Sequence, residues 1–122
     1  MGRVFEIWKE THFEAAHQLN KVPPGHKCAR LHGHSYKVRV FCAGELDKRG
    51  FVVDYAEIGT AMDRVVGRLD HRNLNDILAV ETTAENLCVW IVEQIAKDPL
   101  IGQKVTAVEV YETPTTCVKL AL

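Results

Sequence analysis

The stretch Cys28-Ala-Arg-Leu-His32-Gly-His34 sets a thiol and two imidazoles within one short run of a 122-residue chain. The residues that follow alternate, with Tyr36, Val38, Val40 and Cys42 on one parity, so the run opens a β-strand over 32–44. In an extended chain, residues i and i+2 point to the same face, roughly 7 Å apart. His32 and His34 can therefore converge on one metal ion, and Gly33 between them leaves the backbone room to bend. A third imidazole, His17, closes another strand-like run. Three neutral histidines with an open fourth position form the ligand set of a catalytic zinc site. Cys28 reads two ways: as a reactive thiol beside such a site, or as the fourth ligand of a closed structural one.

Working outward, residues 4–17 alternate as a long strand, with Phe5, Ile7, Thr11 and Phe13 on one parity and Trp8 and His12 on the other. Pro23-Pro24-Gly25 then forces a loop that carries His26, Lys27, Cys28 and Arg30 to the second strand. A turn at 46–50 and an extended piece at 51–53 lead to Asp54 and Glu57, which have the form of a capping box. Behind it Ile58, Met62, Val65, Val66 and Leu69 fall on one helical face, and the helix is expected to end near Asp70-His71. Residues 73–77 read as a polar loop. Thr82 and Glu85 form a second capping-box pattern, and Leu87, Cys88, Ile91 and Ile95 give the second helix its buried stripe before Pro99. Residues 105–112 and 117–122 read as two more strands, separated by Pro114.

The resulting order is β-β-α-α-β-β. It predicts a single α+β domain over 1–122, a four-stranded antiparallel sheet with two helices on one face. Long strands left at its edges call for a second chain to cover them, which predicts a homo-oligomer. A net charge of −1 excludes a global field that would recruit nucleic acid or an anionic membrane, so any anionic ligand must be caught by local charges. The 4 cysteines are scattered with no C-x-x-C pair, which points to a reducing compartment rather than a disulfide framework. Cys42 and Cys88 lie in strand and helix patterns as small buried hydrophobes. No basic start precedes an apolar run, and no apolar stretch approaches the ~20 residues of a membrane span, so the expected location is the cytoplasm.

Five motifs resemble those of the 6-pyruvoyl-tetrahydropterin synthase family: Phe13-Glu-Ala-Ala-His17, Cys28-x-x-x-His32-Gly-His34, Leu69-Asp70-His71-x-x-Leu74-Asn75, Thr82-Thr83-x-Glu85-Asn86 and Tyr111-Glu112-Thr113. They occur in the family's order and span nearly the whole chain. The run from Pro24 to Ser35, with three residues between the cysteine and His-Gly-His, is most similar to the 6-carboxy-tetrahydropterin synthase branch, which serves queuosine biosynthesis. The resemblance implies the tunnelling fold, assembled as trimers whose sheets join into a barrel and commonly stack into hexamers. It also implies a Zn2+-dependent enzyme whose small-molecule substrate is 7,8-dihydroneopterin triphosphate.

What the resemblance implies for each residue stands beside a plainer reading. His17, His32 and His34 resemble the zinc ligands, where three strand histidines satisfied by hydrogen bonds are the alternative. Cys28 resembles the general base, where a packed or metal-bound cysteine is the alternative. Asp70 and His71 resemble a proton-relay pair, against a solvated helix end. Glu112 resembles the pterin anchor, since a carboxylate can accept two parallel hydrogen bonds from the pterin's amino and ring N–H groups; a solvated strand-end glutamate is the alternative. Thr82 and Thr83 match pterin-holding positions and equally suit a helix cap. Lys27 and Arg30 are candidates to meet the triphosphate, and His12 and His26 receive no role. The rival from another class is a zinc-stabilised binding module with Cys28 as fourth ligand and no catalysis.

Overall fold

The computed structural model describes residues 2–122. Two long strands, β1 (Phe5–His17) and β2 (His32–Gly44), are followed by α1 (Tyr55–Val66), a two-residue strand β3 (Arg72–Asn73), α2 (Ala84–Ile95), and the hairpin of β4 (Val105–Thr113) and β5 (Thr116–Ala121). The sheet order is β3-β1-β2-β4-β5, antiparallel except where β3 runs parallel to β1. The α+β tunnelling-fold reading holds, with one correction: the sheet has five strands rather than four. The stretch read as a polar loop at 73–77 contributes half of β3 and one turn of 3₁₀ helix, Leu74–Asp76. A two-residue strand carries no alternation, so nothing local announces it.

One parity of the strands faces the helices. Phe13, Ala15 and His17 of β1, Tyr36, Val38 and Val40 of β2, and Val108 and Val110 of β4 are all buried. Against them pack Ile58, Ala61, Met62 and Val65 of α1 and Leu87, Cys88, Ile91 and Ile95 of α2. The opposite face carries Trp8, Glu10, Lys37, Arg39 and Tyr111. There the Arg39 guanidinium lies 4.3 Å from the centre of the Trp8 ring and bonds Glu10 at 3.0 Å.

The first capping box forms as expected, with Asp54 accepting from Ala56 N–H and Glu57 reaching back to Asp54 N–H. Regular helix stops at Val66, four residues earlier than the apolar pattern suggested, and turns carry the chain on to His71. The 51–53 stretch joins no strand, although Val52 and Val53 are buried in the core. The second box does not form: Thr83, one residue later than expected, caps α2 by accepting from Asn86 N–H at 3.1 Å with no reciprocal bond, and Thr82 is left free for another partner. Burial pushes the thiols of Cys42 and Cys88 up to about 11, so both are inert core residues as read. No helix among the described residues is long and apolar enough to cross a membrane.

Candidate metal and ligand site

The end of the β1–β2 ladder places His17 directly opposite His32 and Ala15 opposite His34. All three imidazoles therefore share the helix-facing side of the sheet, at its far end. Their ligand atoms lie within 4.8 Å of one another, and Cys28 is not a member of that cluster. His17 is 1% exposed.

Two of the rings have their protons placed by acceptors that cannot donate. His17 Nδ1 lies 2.7 Å from the carbonyl oxygen of Thr82, and His32 Nδ1 lies 2.7 Å from that of Arg30. Each Nδ1 must carry a hydrogen, which turns each Nε2 toward the cluster as the nitrogen available to a metal. Burial lowers the pKa of His34, and His17 and His32 act the same way, against the raising effect of the Glu112 carboxylate. His34 is thus neutral at pH 7. Its Nε2 lies 3.0 Å from His32 Nε2. Three imidazoles with converging nitrogens, two of them oriented by backbone carbonyls, fit a borderline metal such as zinc.

Glu112, at the end of β4, reaches the same place. Its carboxylate oxygens stand 3.8 Å from His17 Nε2 and 3.8 Å from His34 Nε2. The residue also lines a cleft with Thr83, Thr116 and Cys117. Thr83 reaches this cleft as the cap of α2. Thr82 does not line it; it is fully buried, and its carbonyl and hydroxyl, at 2.7 and 3.2 Å, both serve His17 Nδ1.

Cys28 is half-buried on a single 3₁₀ turn, Lys27–Ala29, just before β2. The loop is held in place from both sides. Leu19 N–H donates to the Cys28 carbonyl at 2.8 Å, and Cys28 N–H donates to His26 Nδ1 at 3.0 Å. His26, which the sequence left without a role, is this turn's cap. Lys27 and Arg30 are exposed.

Asp70 and His71 pair with each other, Oδ2 to Nδ1 at 3.0 Å. They are anchored on Glu14 of β1, whose N–H donates to Asp70 Oδ1 at 2.9 Å and whose carbonyl accepts from His71 N–H at 2.6 Å. The Glu14 N–H and the His71 ring together hold the Asp70 carboxyl below the usual range. His71 adopts φ 58°, a left-handed backbone uncommon outside glycine, and its side chain is 78% exposed. His71, without Asp70, lines a second cleft with Glu14, Gly33, His34 and Ser35. The two clefts share no lining residue, but His34 lines that of His71 and stands 3.8 Å from Glu112, which lines the other.

Two residues that the sequence left without a role belong to the site. Asn75 clamps the residue after His17: its Oδ1 accepts from Gln18 N–H and its Nδ2 donates to the Gln18 carbonyl, both at 2.9 Å. Tyr36 stacks on Phe13 at 4.9 Å, and its hydroxyl has no hydrogen-bond partner. Burial, and then the Glu112 charge, keep that hydroxyl protonated far above neutral pH. The strand alternation already put Tyr36 on the face of His34, so its side was legible; the side-chain clamp of Asn75 was not.

Residues 6–121 match the model of the 6-pyruvoyl tetrahydropterin synthase family. A 6-carboxy-5,6,7,8-tetrahydropterin synthase of Synechocystis is 39% identical, the match covering 93% of this chain and 90% of that protein. A dihydroneopterin monophosphate aldolase of Pyrococcus furiosus is 42% identical over 70% of each chain. The solved 6-pyruvoyl tetrahydropterin synthase of Caenorhabditis elegans superposes with a TM-score of 0.90 at 26% identity, covering 99% of this chain and 97% of the other.

Proposed function

The chain belongs to the 6-pyruvoyl tetrahydropterin synthase family, and from that premise we propose that it is a zinc-dependent 6-carboxy-5,6,7,8-tetrahydropterin synthase. Its substrates in this reading are 7,8-dihydroneopterin triphosphate and one water, consumed in the carbon–carbon cleavage, and its products are 6-carboxytetrahydropterin, acetaldehyde and triphosphate, as a step of queuosine biosynthesis in the cytoplasm. The observation that carries it is the convergence of His17, His32 and His34 beside Glu112. The Synechocystis relative supports the choice of branch.

His17, His32 and His34 would hold Zn2+, which supplies Lewis acidity to the hydroxyls of the pterin side chain. Glu112, with Thr83 at the cleft, accepts the pterin's amino and ring N–H groups and fixes the ring so that its side chain lies over the histidines. Thr82 acts through His17, whose tautomer it sets. Cys28 removes a proton from the side-chain carbon as thiolate base. Asp70 holds His71 in one tautomer, and His71 returns the proton. Lys27 and Arg30 offer the triphosphate two exposed cations.

In this reading the Asp70–His71 pair comes from a neighbouring copy. β3 covers only Ala15 and Ala16 of β1, so both the rest of β1 and the outer side of β5 are open edges. Successive antiparallel pairings leave β5 antiparallel to β1, with Thr116 at the His17 end of the sheet. Joining β5 of one copy to β1 of the next sets the cleft of Glu112 and Thr116 beside the Glu14 that anchors the pair. Three copies closing this way, then two rings stacking, would form the hexamer of the resemblance.

The Pyrococcus furiosus relative favours a second reading, an aldolase that cuts the pterin side chain by retro-aldol cleavage. Product analysis separates the readings. Zinc-loaded protein is incubated with 7,8-dihydroneopterin triphosphate beside its Cys28→Ala variant, and products are identified by mass. A 6-carboxy product with acetaldehyde is expected from the parent protein. The variant keeps one zinc per chain and loses at least about 100-fold in turnover. A 6-hydroxymethyl product would establish the aldolase, and a 6-pyruvoyl product the neighbouring branch. No product, with zinc lost in the variant, would leave the structural-zinc module and overturn the enzyme.

A further inference from the structure

Tyr36 is 0% exposed, and its hydroxyl is one of only two buried side-chain polar atoms among the described residues without a hydrogen-bond partner. Packing does not call for that oxygen. The ring's cross-strand partner is Phe13, stacked at 4.9 Å with planes 7° apart, and a phenyl at position 36 would stack as well. A buried hydroxyl with nothing to bond is a standing penalty, and such a group calls for a partner that arrives with a ligand.

The surroundings say where that partner lies. The Tyr36 ring centre is 5.5 Å from that of His34 and 6.2 Å from that of His17. Lys37 pairs with Tyr111, so the register sets Tyr36 beside Glu112, one step nearer the histidines. Glu112 in turn stands 3.8 Å from both His17 and His34. The Tyr36 ring therefore lies beside two of the clustered imidazoles and a carboxylate. The hydroxyl itself reaches no partner among them. Tyr36 would offer a ligand oxygen brought to the histidines a donor that no protein group uses.

We propose that the Tyr36 hydroxyl donates a hydrogen bond to a side-chain oxygen of the bound pterin, held in the space bounded by His17, His34 and Glu112. The inference rests on the pterin reading above. It makes Tyr36 a selector for pterins that carry an oxygen on the first side-chain carbons, and a stabiliser of that oxygen as negative charge develops on it.

Tyr36→Phe removes the one atom and keeps the stack. Binding is measured by calorimetry on zinc-loaded protein with two inert probes, neopterin, which carries the side-chain hydroxyls, and 6-methylpterin, which lacks them. The variant should melt no lower than the parent and keep one zinc per chain. Neopterin should bind about fivefold to tenfold more weakly, as expected for one lost hydrogen bond, with 6-methylpterin unchanged. The kcat on dihydroneopterin triphosphate should fall about 100-fold with KM moving far less. Equal weakening of both probes would assign Tyr36 to packing, and unchanged affinities would mean that an ordinary water fills the space; either result overturns the proposal. If the parent protein binds neither probe, the pterin reading itself fails, and this inference falls with it.

Discussion

Asn75 offers the sharpest stability test, because its side chain does the work of a strand. β3 bonds to Ala15 and Ala16 of β1 and then ends. The Asn75 amide takes over at Gln18, accepting from its N–H and donating to its carbonyl at 2.9 Å each. Asn75→Ala deletes both bonds. Each contributes about 1 kcal/mol, and a part-buried N–H left without a partner adds roughly another 1 kcal/mol. The Gln18 carbonyl keeps the Thr82 hydroxyl at 3.3 Å, so its loss is partly compensated. The sum is about 2–3 kcal/mol, or about 10 °C in Tm for a chain of this length. Asn75→Asp separates the two bonds. Its carboxylate still accepts from Gln18 N–H but turns an acceptor toward the Gln18 carbonyl, so it should be no better than alanine. Urea unfolding of zinc-free protein, with unchanged m, reads the stability, and a competing chelator reads zinc affinity. Because Gln18 follows His17 directly, the loosened backbone should also cost about tenfold in zinc affinity. An alanine variant within about 0.5 kcal/mol of the parent, with zinc affinity intact, would refute the view that this amide holds the ligand strand.

Two further outcomes follow from the same geometry. Burial raises the pKa of Asp98, but the N–H groups of Ile101 and Leu100 and the Arg64 guanidinium override it, and the net shift is downward. A depressed native pKa stabilises the fold above the unfolded value near about 4 and is lost as pH falls through the native one. Asp98→Asn should therefore lose about 1–2 kcal/mol at pH 7 and flatten the acid limb of the stability curve below about pH 4, as followed by urea midpoints across pH. Removing zinc with a chelator should lower Tm, because a ligand that binds only the native state adds about 2.7 kcal/mol at a hundred times its Kd. His17→Ala should abolish that chelator-sensitive difference in scanning calorimetry, since it deletes the most buried of the three imidazoles.

What the sequence made legible was local. The Asp54 cap, the stripe of α2 and the shared side of His32 and His34 each depend on residues within a few positions, where spacing dictates geometry. The second cap was misplaced by one residue because Thr82 and Thr83 are chemically interchangeable at that spacing. What separates them is a distant event, the arrival of His17 at the Thr82 carbonyl 65 positions away. β3 and the Asn75 clamp were hidden for the same reason, as both exist only against β1.

The site is assembled by sheet register rather than by any one motif. Phe13 opposite Tyr36, His17 opposite His32 and Lys37 opposite Tyr111 are three separate pairings. Together they turn His17, His34, Tyr36 and Glu112 to the same face. A slip of one residue in either ladder would send one partner strand's contribution to the other face of the sheet. The apolar stripe that fixes the register, Val38 and Val40 against Val108 and Val110, thereby also aims the polar end of each strand. Sequence alternation disclosed that stripe without disclosing which strands lie side by side. That is why the histidine cluster could be read from spacing, while the position of Glu112 beside it could be expected only through the resemblance. The Asp70–His71 pair marks the limit of this logic within one chain. It is bonded to the backbone of Glu14 in β1, a contact that no local spacing or alternation announces.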